Sequence, residues 1–326
     1  ARTDSANATG IVVQWFDKWS GELSDSLAKL PTPTESYREL YPILATAPMS
    51  SPKRIALVRQ GGEPIAVVAL YNTVRSWWQP VTTNILPGPP FPCANDDFAN
   101  VIRALHLNLG ISWWRYRGGQ IPEAPDLQTE RMPTYGARLD QDYESHWKTS
   151  GHWSTVRRFR NRAKNLTFAV NRPGTMEWVV ASSEQKWRAD ASEELLQLKD
   201  RLLAFSFLEQ RGEQFSLALY DQDRPVAGHV FLKDGDTAIW HTTYRVDEYE
   251  SQGVGTRLMD LAFSWAKEQG FKTIDLGGHH DYKARWAPVG GEKVLTSYEV
   301  PLSVPQRVFR KLRSLSTRLS GKVRGG

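Results

Sequence analysis

Apolar positions along this chain fall into helical and strand-like periods separated by Pro- and Gly-rich breaks. Between residues 10 and 30, Val13, Trp15, Phe16, Trp19, Leu23, Leu27 and Leu30 follow a helix-like spacing, and the pattern predicts a helix there. The run PTPTES ends it, and residues 36–44 begin another short helix. Residues 54–58 and 64–71 read as two strands joined at Gly61-Gly62, a hairpin signal. A Pro-rich loop over 86–92 leads to an amphipathic helix at 96–109 and a strand at 112–116.

The second half repeats that order. Strands at 214–220 and 224–233 meet at Asp221-Gln222-Asp223, a third strand covers 237–245, a helix 253–269 and a last strand 272–276. That last strand is expected to run parallel to the third. Between the halves, residues 143–165 and 184–205 look helical, with a strand at 168–170. The economical reading is α/β: two tandem copies of one unit, each a mixed, mostly antiparallel sheet flanked by helices. The repeat lies in element order, not in residue identity. Pro and Gly concentrate over 120–140, so the expected division is 1–135, 136–304 and a tail, 305–326.

Composition narrows the classes. At 326 residues, 40% hydrophobic and 24% charged, the chain is long enough for two domains with a real core. One cysteine, Cys93, excludes a disulfide framework and a cysteine metal cluster, and fits a reducing, cytoplasmic setting. No apolar run approaches the roughly 20 residues of a membrane span, and the first residues lack a secretory signal pattern. The net charge of +5 is uneven. Residues 157–164, RRFRNRAK, form one basic block and 307–324 another. Such blocks attract phosphates or anionic lipid, or form solvated helix faces. In the tail, Val308, Phe309, Leu312, Leu315 and Leu319 recur at helical spacing among arginines, so peripheral membrane contact is one expectation and cover for a sheet edge the other.

The stretch IWHTTYRVDEYESQGVGTRLMDLAFSWAKEQGFKTIDLGGHHDYKARW, residues 239–286, carries the chemistry. It reads as strand, glycine turn, amphipathic helix, strand and polar cluster. The unpaired N–H groups of a helix's first turn, with their partial positive charge, hold phosphate, and glycine lets the backbone approach closely. With RPVAGHVFL at 224–232 and DYKARWAP at 281–288, this stretch resembles the GNAT acyltransferase superfamily. More narrowly it resembles the tandem-GNAT branch, CelD-like or BcsL-like, related to the FemABX enzymes. The resemblance is strongest over 140–300. The acyl-CoA signature, Arg or Gln-x-x-Gly-x-Gly/Ala, aligns with Glu250 to Gly255; Glu250 departs from it, and Arg257 is a nearby replacement cation.

The resemblance implies an N-acyltransferase using acetyl-CoA or another acyl-CoA as co-substrate. Gln252, Gly253, Val254, Gly255 and Thr256, with Thr242 and Thr243 on the preceding strand, would hold the donor. Tyr282 occupies the position of the acid that protonates the thiolate, and a phenol keeps its proton at neutral pH. His241, His279 and His280 are candidate bases, with His229 a fourth, because imidazole titrates near neutrality; Glu209 and Asp281 are weaker ones. Lys283, Arg285, Arg158 and Arg162 would bind an anionic acceptor, a small molecule or sugar-nucleotide amine. No metal and no DNA partner are expected: neighbouring histidines on an extended chain point apart. The first unit lacks a Gly-x-Gly helix start and is expected to be a non-catalytic wall of the acceptor cleft. The alternatives are a FemABX-like transferase fed by aminoacyl-tRNA, or an inactive GNAT-like binding protein.

Overall fold

Residues 10–30 split between a strand and a helix rather than forming one helix. In the computed structural model, which describes residues 2–4, 10–47, 53–74, 77–82, 85–109, 114–118, 128–188, 198–278 and 281–299, the first elements are β1 (Arg2–Asp4) and β2 (Ile11–Phe16), followed by α1 (Gly21–Lys29). Ser20 decides the break, since its side chain accepts the N–H of Leu23 and caps α1. β2 buries Ile11 and Val13 while pairing with the next strand. α2 (Glu35–Thr46) follows, capped by Thr34. β3 (Lys53–Gln60) and β4 (Glu63–Val74) form the expected hairpin about Gly61-Gly62, and β5 (Trp77–Pro80) completes an antiparallel sheet in the order β1-β2-β3-β4-β5. α3 (Phe98–Leu109) opens after a single 3-10 turn at Asn95–Asp97.

The strand after α3 does not join that sheet. β6 (Trp114–Gly118) and β7 (Gln128–Arg138) belong to a second, eight-stranded sheet, and β7 runs through residues 135 and 136, where the division of the chain was expected. Next come α4 (Tyr143–Thr149) and α5 (Trp153–Arg162), the broken form of the helix expected over 143–165, then β8 (Thr167–Val170). α6 (Thr175–Arg188) and α7 (Leu198–Gln210) replace the one helix expected at 184–205. β9 (Gln214–Asp221), β10 (Arg224–Asp234), β11 (Thr237–Arg245), α8 (Val254–Glu268), β12 (Thr273–Asp275) and β13 (Val289–Glu299) complete the chain. Their order is β6-β13-β7-β12-β11-β10-β9-β8. Among the described residues β11 and β12 form the one parallel pair, joined by α8 as the crossover such a pair requires. The tail 305–326 lies outside the described residues.

Both sheets are flanked by helices, and the second is covered on both faces. One face of β10, with Val230 and Leu232, enters the apolar core of the first sheet together with Val179 and Val180 of α6 and Phe205 of α7. The other face, with Phe231, packs on Phe263 and Trp265 of α8 and Trp147 of α4. Gly228 is what lets α6 lie so close, because a Cβ there would sit 2.2 Å from Val179 Cγ2. Polar contacts also cross between the halves. Lys53 Nζ lies 3.5 Å from Asp200, Ser36 donates to Glu213 at 2.6 Å, and Arg211 pairs with Glu39. Burial lowers the pKa of Lys53 and raises that of Asp200, each partly countered by the other.

Candidate functional site

β11 and β12 diverge, and the site is the gap between them. Their pairing covers Thr237 with Thr273, Ala238 with Ile274 and Ile239 with Asp275. Beyond that point the β12 chain turns to β7, where Leu276 donates to Tyr135 O (2.8 Å) and Tyr135 donates to Gly277 O (3.1 Å). β11 instead stays with β10 as far as Arg245. The register of β11 slips between Phe231/Trp240 and Val230/Thr242, which makes His241 the extra residue of a bulge. The slip resets the alternation of faces, so Trp240, Thr243 and Arg245 all border one cavity of about 580 Å³. His152, Lys186, His229, Tyr244, Gly255, Thr256, Met259, Tyr282, Arg285 and Trp286 complete its walls.

One end of the cavity is the start of α8. Gly253 caps this helix with φ +67°, a left-handed conformation, and supplies no side-chain bond to the first-turn N–H groups. A Cβ on Gly253 would lie 2.1 Å from Phe159 Cδ1 of α5, so the position admits no side chain on either count. Val254 is fully buried in the core below, whereas Gly255 and Thr256 face the cavity. The cation at this turn is Arg245. Its Cδ lies 3.7 Å from where a Gly255 Cβ would be, and its guanidinium donates to Glu250 at 2.7 Å. Arg257 is turned the other way. It donates to Asp260 at 2.6 Å, and Arg160 of α5 donates two bonds to the same buried carboxylate, at 2.6 and 3.0 Å. Asp260 thereby clamps α5 to α8.

The remaining expected residues are placed as follows. Tyr282 is 45% exposed at the cavity, its phenol pushed up to about 12 by desolvation, with Arg245 pulling the other way. Arg285 lines the cavity. Lys283 is buried behind it, its ammonium donating to Gly278 O (3.0 Å) and lying 5.2 Å from the Trp240 ring centroid. Thr243 borders the cavity; Thr242 is buried and holds His241 Nδ1 at 2.8 Å. His241 packs on Phe205 of α7, on the face away from α8, and is not part of the cavity wall. Gln252 ends the 3-10 turn before α8. Arg158 and Arg162 are exposed on α5 against the Phe159 ring, and Arg162 donates to Ser251 O at 3.2 Å. His279 and His280 lie outside the described residues.

Two histidines of the wall have a buried Nε2 without a partner among the described residues: His229 on β10 and His152 between α4 and α5. His152 is 6% exposed, with its ring 4.6 Å from that of Trp286, and burial, aided by Arg285, lowers its pKa. His152 is not at a strand end, and its one mark in the sequence is that it opens the basic helix. Arg245 stands before the glycines, on β11, rather than after them. Among the described residues no group of three or more His, Cys, Asp or Glu is gathered as a metal site, and no helix is long and apolar enough to cross a membrane.

Residues 150–284 match the family model described as the acetyltransferase (GNAT) domain. No curated protein matches the chain in sequence. Among solved structures the chain is similar to L-PGS from Bacillus licheniformis, at 13% identity over 94% of this chain and 98% of that one, with a TM-score of 0.53. It is also similar to a C-terminal domain named for lysylphosphatidylglycerol synthetase from Agrobacterium fabrum, at 11% identity over 90% and 95%, with a TM-score of 0.50. A tandem GNAT protein from the clavulanic acid pathway aligns at 10% identity over 88% and 98%, with a TM-score of 0.44. For the first two, at these identities, the likeness is one of fold. The cavity between β11, β12 and α8 lies largely inside the matched residues.

Proposed function

We propose that this chain, which carries a GNAT-type domain over residues 150–284, transfers an acyl group from acyl-CoA to an amine, within the tandem branch to which the CelD-like and BcsL-like proteins belong. The observation that carries the reading is the divergence of the parallel pair β11/β12 beside a helix start capped by Gly253. First-turn amides of α8 and the Arg245 guanidinium suit a diphosphate, and the gap suits the extended arm of a thioester. The amine nitrogen adds to the acyl carbon and the carbon–sulfur bond breaks. His152 takes the proton from the amine, and Tyr282 gives one to the departing sulfur. Lys186, Arg245 and Arg285 line the cavity and, among the described residues, no carboxylate does, which favours an acceptor bearing an anionic group.

Titration calorimetry with CoA is expected to show one site per chain; two sites or none would remove this reading. Arg285→Ala is expected to raise KM for the acceptor by about tenfold, a loss near 1.4 kcal/mol, without changing CoA affinity. Because burial and Arg285 both lower the His152 pKa, kcat/KM in the intact protein should be flat at and above neutrality and fall only below the usual imidazole range. In Arg285→Ala that acid limb should move to higher pH. An unmoved limb would exclude His152 as the base.

A second reading is favoured by the exposed Arg157, Arg158, Arg162 and Lys164 on and just after α5, beside the start of α8. Four cations so placed suit a nucleic-acid backbone, and so a donor carried on tRNA. Thermal protection by tRNA with a steep salt dependence, and none by CoA, would select it.

A further inference from the structure

His229 is built into the wall of the cavity in a way that fixes where its proton sits. It is 3% exposed, in the middle of β10 and paired in register with Thr243. The indole Nε1–H of Trp240 donates to its Nδ1 at 3.0 Å, and the Thr243 hydroxyl lies 2.9 Å from the same nitrogen. An indole N–H can only donate, so this contact assigns Nδ1 as the accepting nitrogen, in competition with the Gly228 backbone, whose bond to the ring favours an N–H. In a neutral imidazole the hydrogen is then on Nε2. Burial holds the His229 pKa down to about 3, against a backbone hydrogen bond at Gly228 that raises it, so the ring is neutral at physiological pH. Its Nε2 is buried and has no partner among the described residues. An unmet buried donor costs roughly 1–3 kcal/mol, a cost that an acceptor atom inside the cavity would remove. Trp240 and Thr243, which hold the ring, themselves border that cavity.

We propose that the Nε2–H of His229 is a preset hydrogen-bond donor to the carbonyl oxygen of the transferred acyl group. This rests on the acyl-CoA reading and adds the group that meets the oxygen. As the amine nitrogen bonds to the acyl carbon, negative charge grows on that oxygen until the carbon–sulfur bond breaks and the carbonyl re-forms. A donor already in place stabilises the charge without reorganising. His229 gives up no proton in this step; the amine proton and the thiolate proton are handled elsewhere, as described above. Trp240 is a positioning residue, since it acts by keeping Nδ1 free of hydrogen.

The test uses the full chain labelled with 15N-histidine. The His229 resonances are expected to report the Nε2–H form in the free protein, and a mixture of both ring forms in Trp240→Phe. On titration, acetyl-CoA is expected to shift the Nε2 resonance and CoA, which lacks the acyl oxygen, to leave it in place. His229→Ala should lower kcat by about a hundredfold, the usual effect of losing one such donor, with KM for acetyl-CoA within twofold. His229→Gln, whose amide N–H reaches a similar place, should recover part of the loss. If calorimetry shows both ligands bound while the Nε2 resonance responds equally to each or to neither, this inference falls and the acyltransferase reading stands. If neither ligand binds, both fall. The spectra need only intact protein, so they decide the matter even if His229→Ala fails to fold.

Discussion

Gly253→Ala is expected to destabilise the protein by about 2–5 kcal/mol and to remove CoA binding at the concentrations that saturate the parent. Two costs add. A non-glycine residue at φ +67° costs roughly 1–2 kcal/mol. The new Cβ would lie 2.1 Å from Phe159 Cδ1, so the ring and the α5 backbone beneath it must move, at about 1–3 kcal/mol for overpacking. The ring has little room to retreat, because α5 is tied to α8 through Arg160 and Asp260. Urea unfolding at neutral pH measures the first effect and calorimetry the second. The packing cause is isolated by Phe159→Ala. In that background Gly253→Ala should cost only the backbone part, a coupling of about 1 kcal/mol or more. An unchanged urea midpoint in Gly253→Ala would mean that Phe159 does not lie on the glycine.

Lowering the pH from 7 to 4 is expected to cost about 3 kcal/mol of stability through His229 alone. The sign follows from where the proton binds. In the unfolded chain His229 titrates at its ordinary value of 6.5, whereas in the folded chain burial holds it to about 3. Above 6.5 neither form is protonated and the group contributes no pH dependence. Below it the unfolded chain takes up a proton that the folded one refuses, and stability falls by about 1.4 kcal/mol per pH unit until the folded pKa is reached. His152, whose pKa is also lowered, acts in the same direction. Asp200 acts in the opposite direction, since its raised pKa lets the folded form take up a proton first as the pH falls. Urea midpoints between pH 6.5 and 4.5 should therefore slope steeply in the parent and less steeply, by about one proton, in His229→Gln. Equal slopes would show that His229 is accessible to protons in the folded state.

Some of this was legible along the chain and some was not. The hairpin about Gly61-Gly62, the strands β9 to β11 and the helix α8 are readable because their periodicity and turn residues agree locally. β2 was not: Val13, Trp15, Phe16 and Trp19 suit a helix as well as a strand, and pairing with β3 is what selects the strand. The destination of β6 and β7 was not readable either, because nothing in a strand names its partner sheet. Along the cavity wall, Gly255, Tyr282 and Arg285 are positions that order and spacing single out. The placement of His241 away from the cavity depends on a one-residue bulge, which shifts faces without leaving a mark in composition.

The sequence by itself determined the local pieces: a glycine-opened helix after a strand, a short strand behind it, and a tyrosine and cations in the segment that follows. These are set by backbone propensities and nearest neighbours, which act over a few residues. Only the tertiary structure decided that Trp240 meets Nδ1 of His229, that Arg245 rather than Arg257 stands at the glycine turn, and that His152 shares a wall with Tyr282. Each of those depends on desolvation and on partners from other elements: Trp240 for the imidazole, Asp260 for Arg257, and Trp286 and Arg285 for His152. Such contacts come into being only when distant segments are packed together and water is excluded between them.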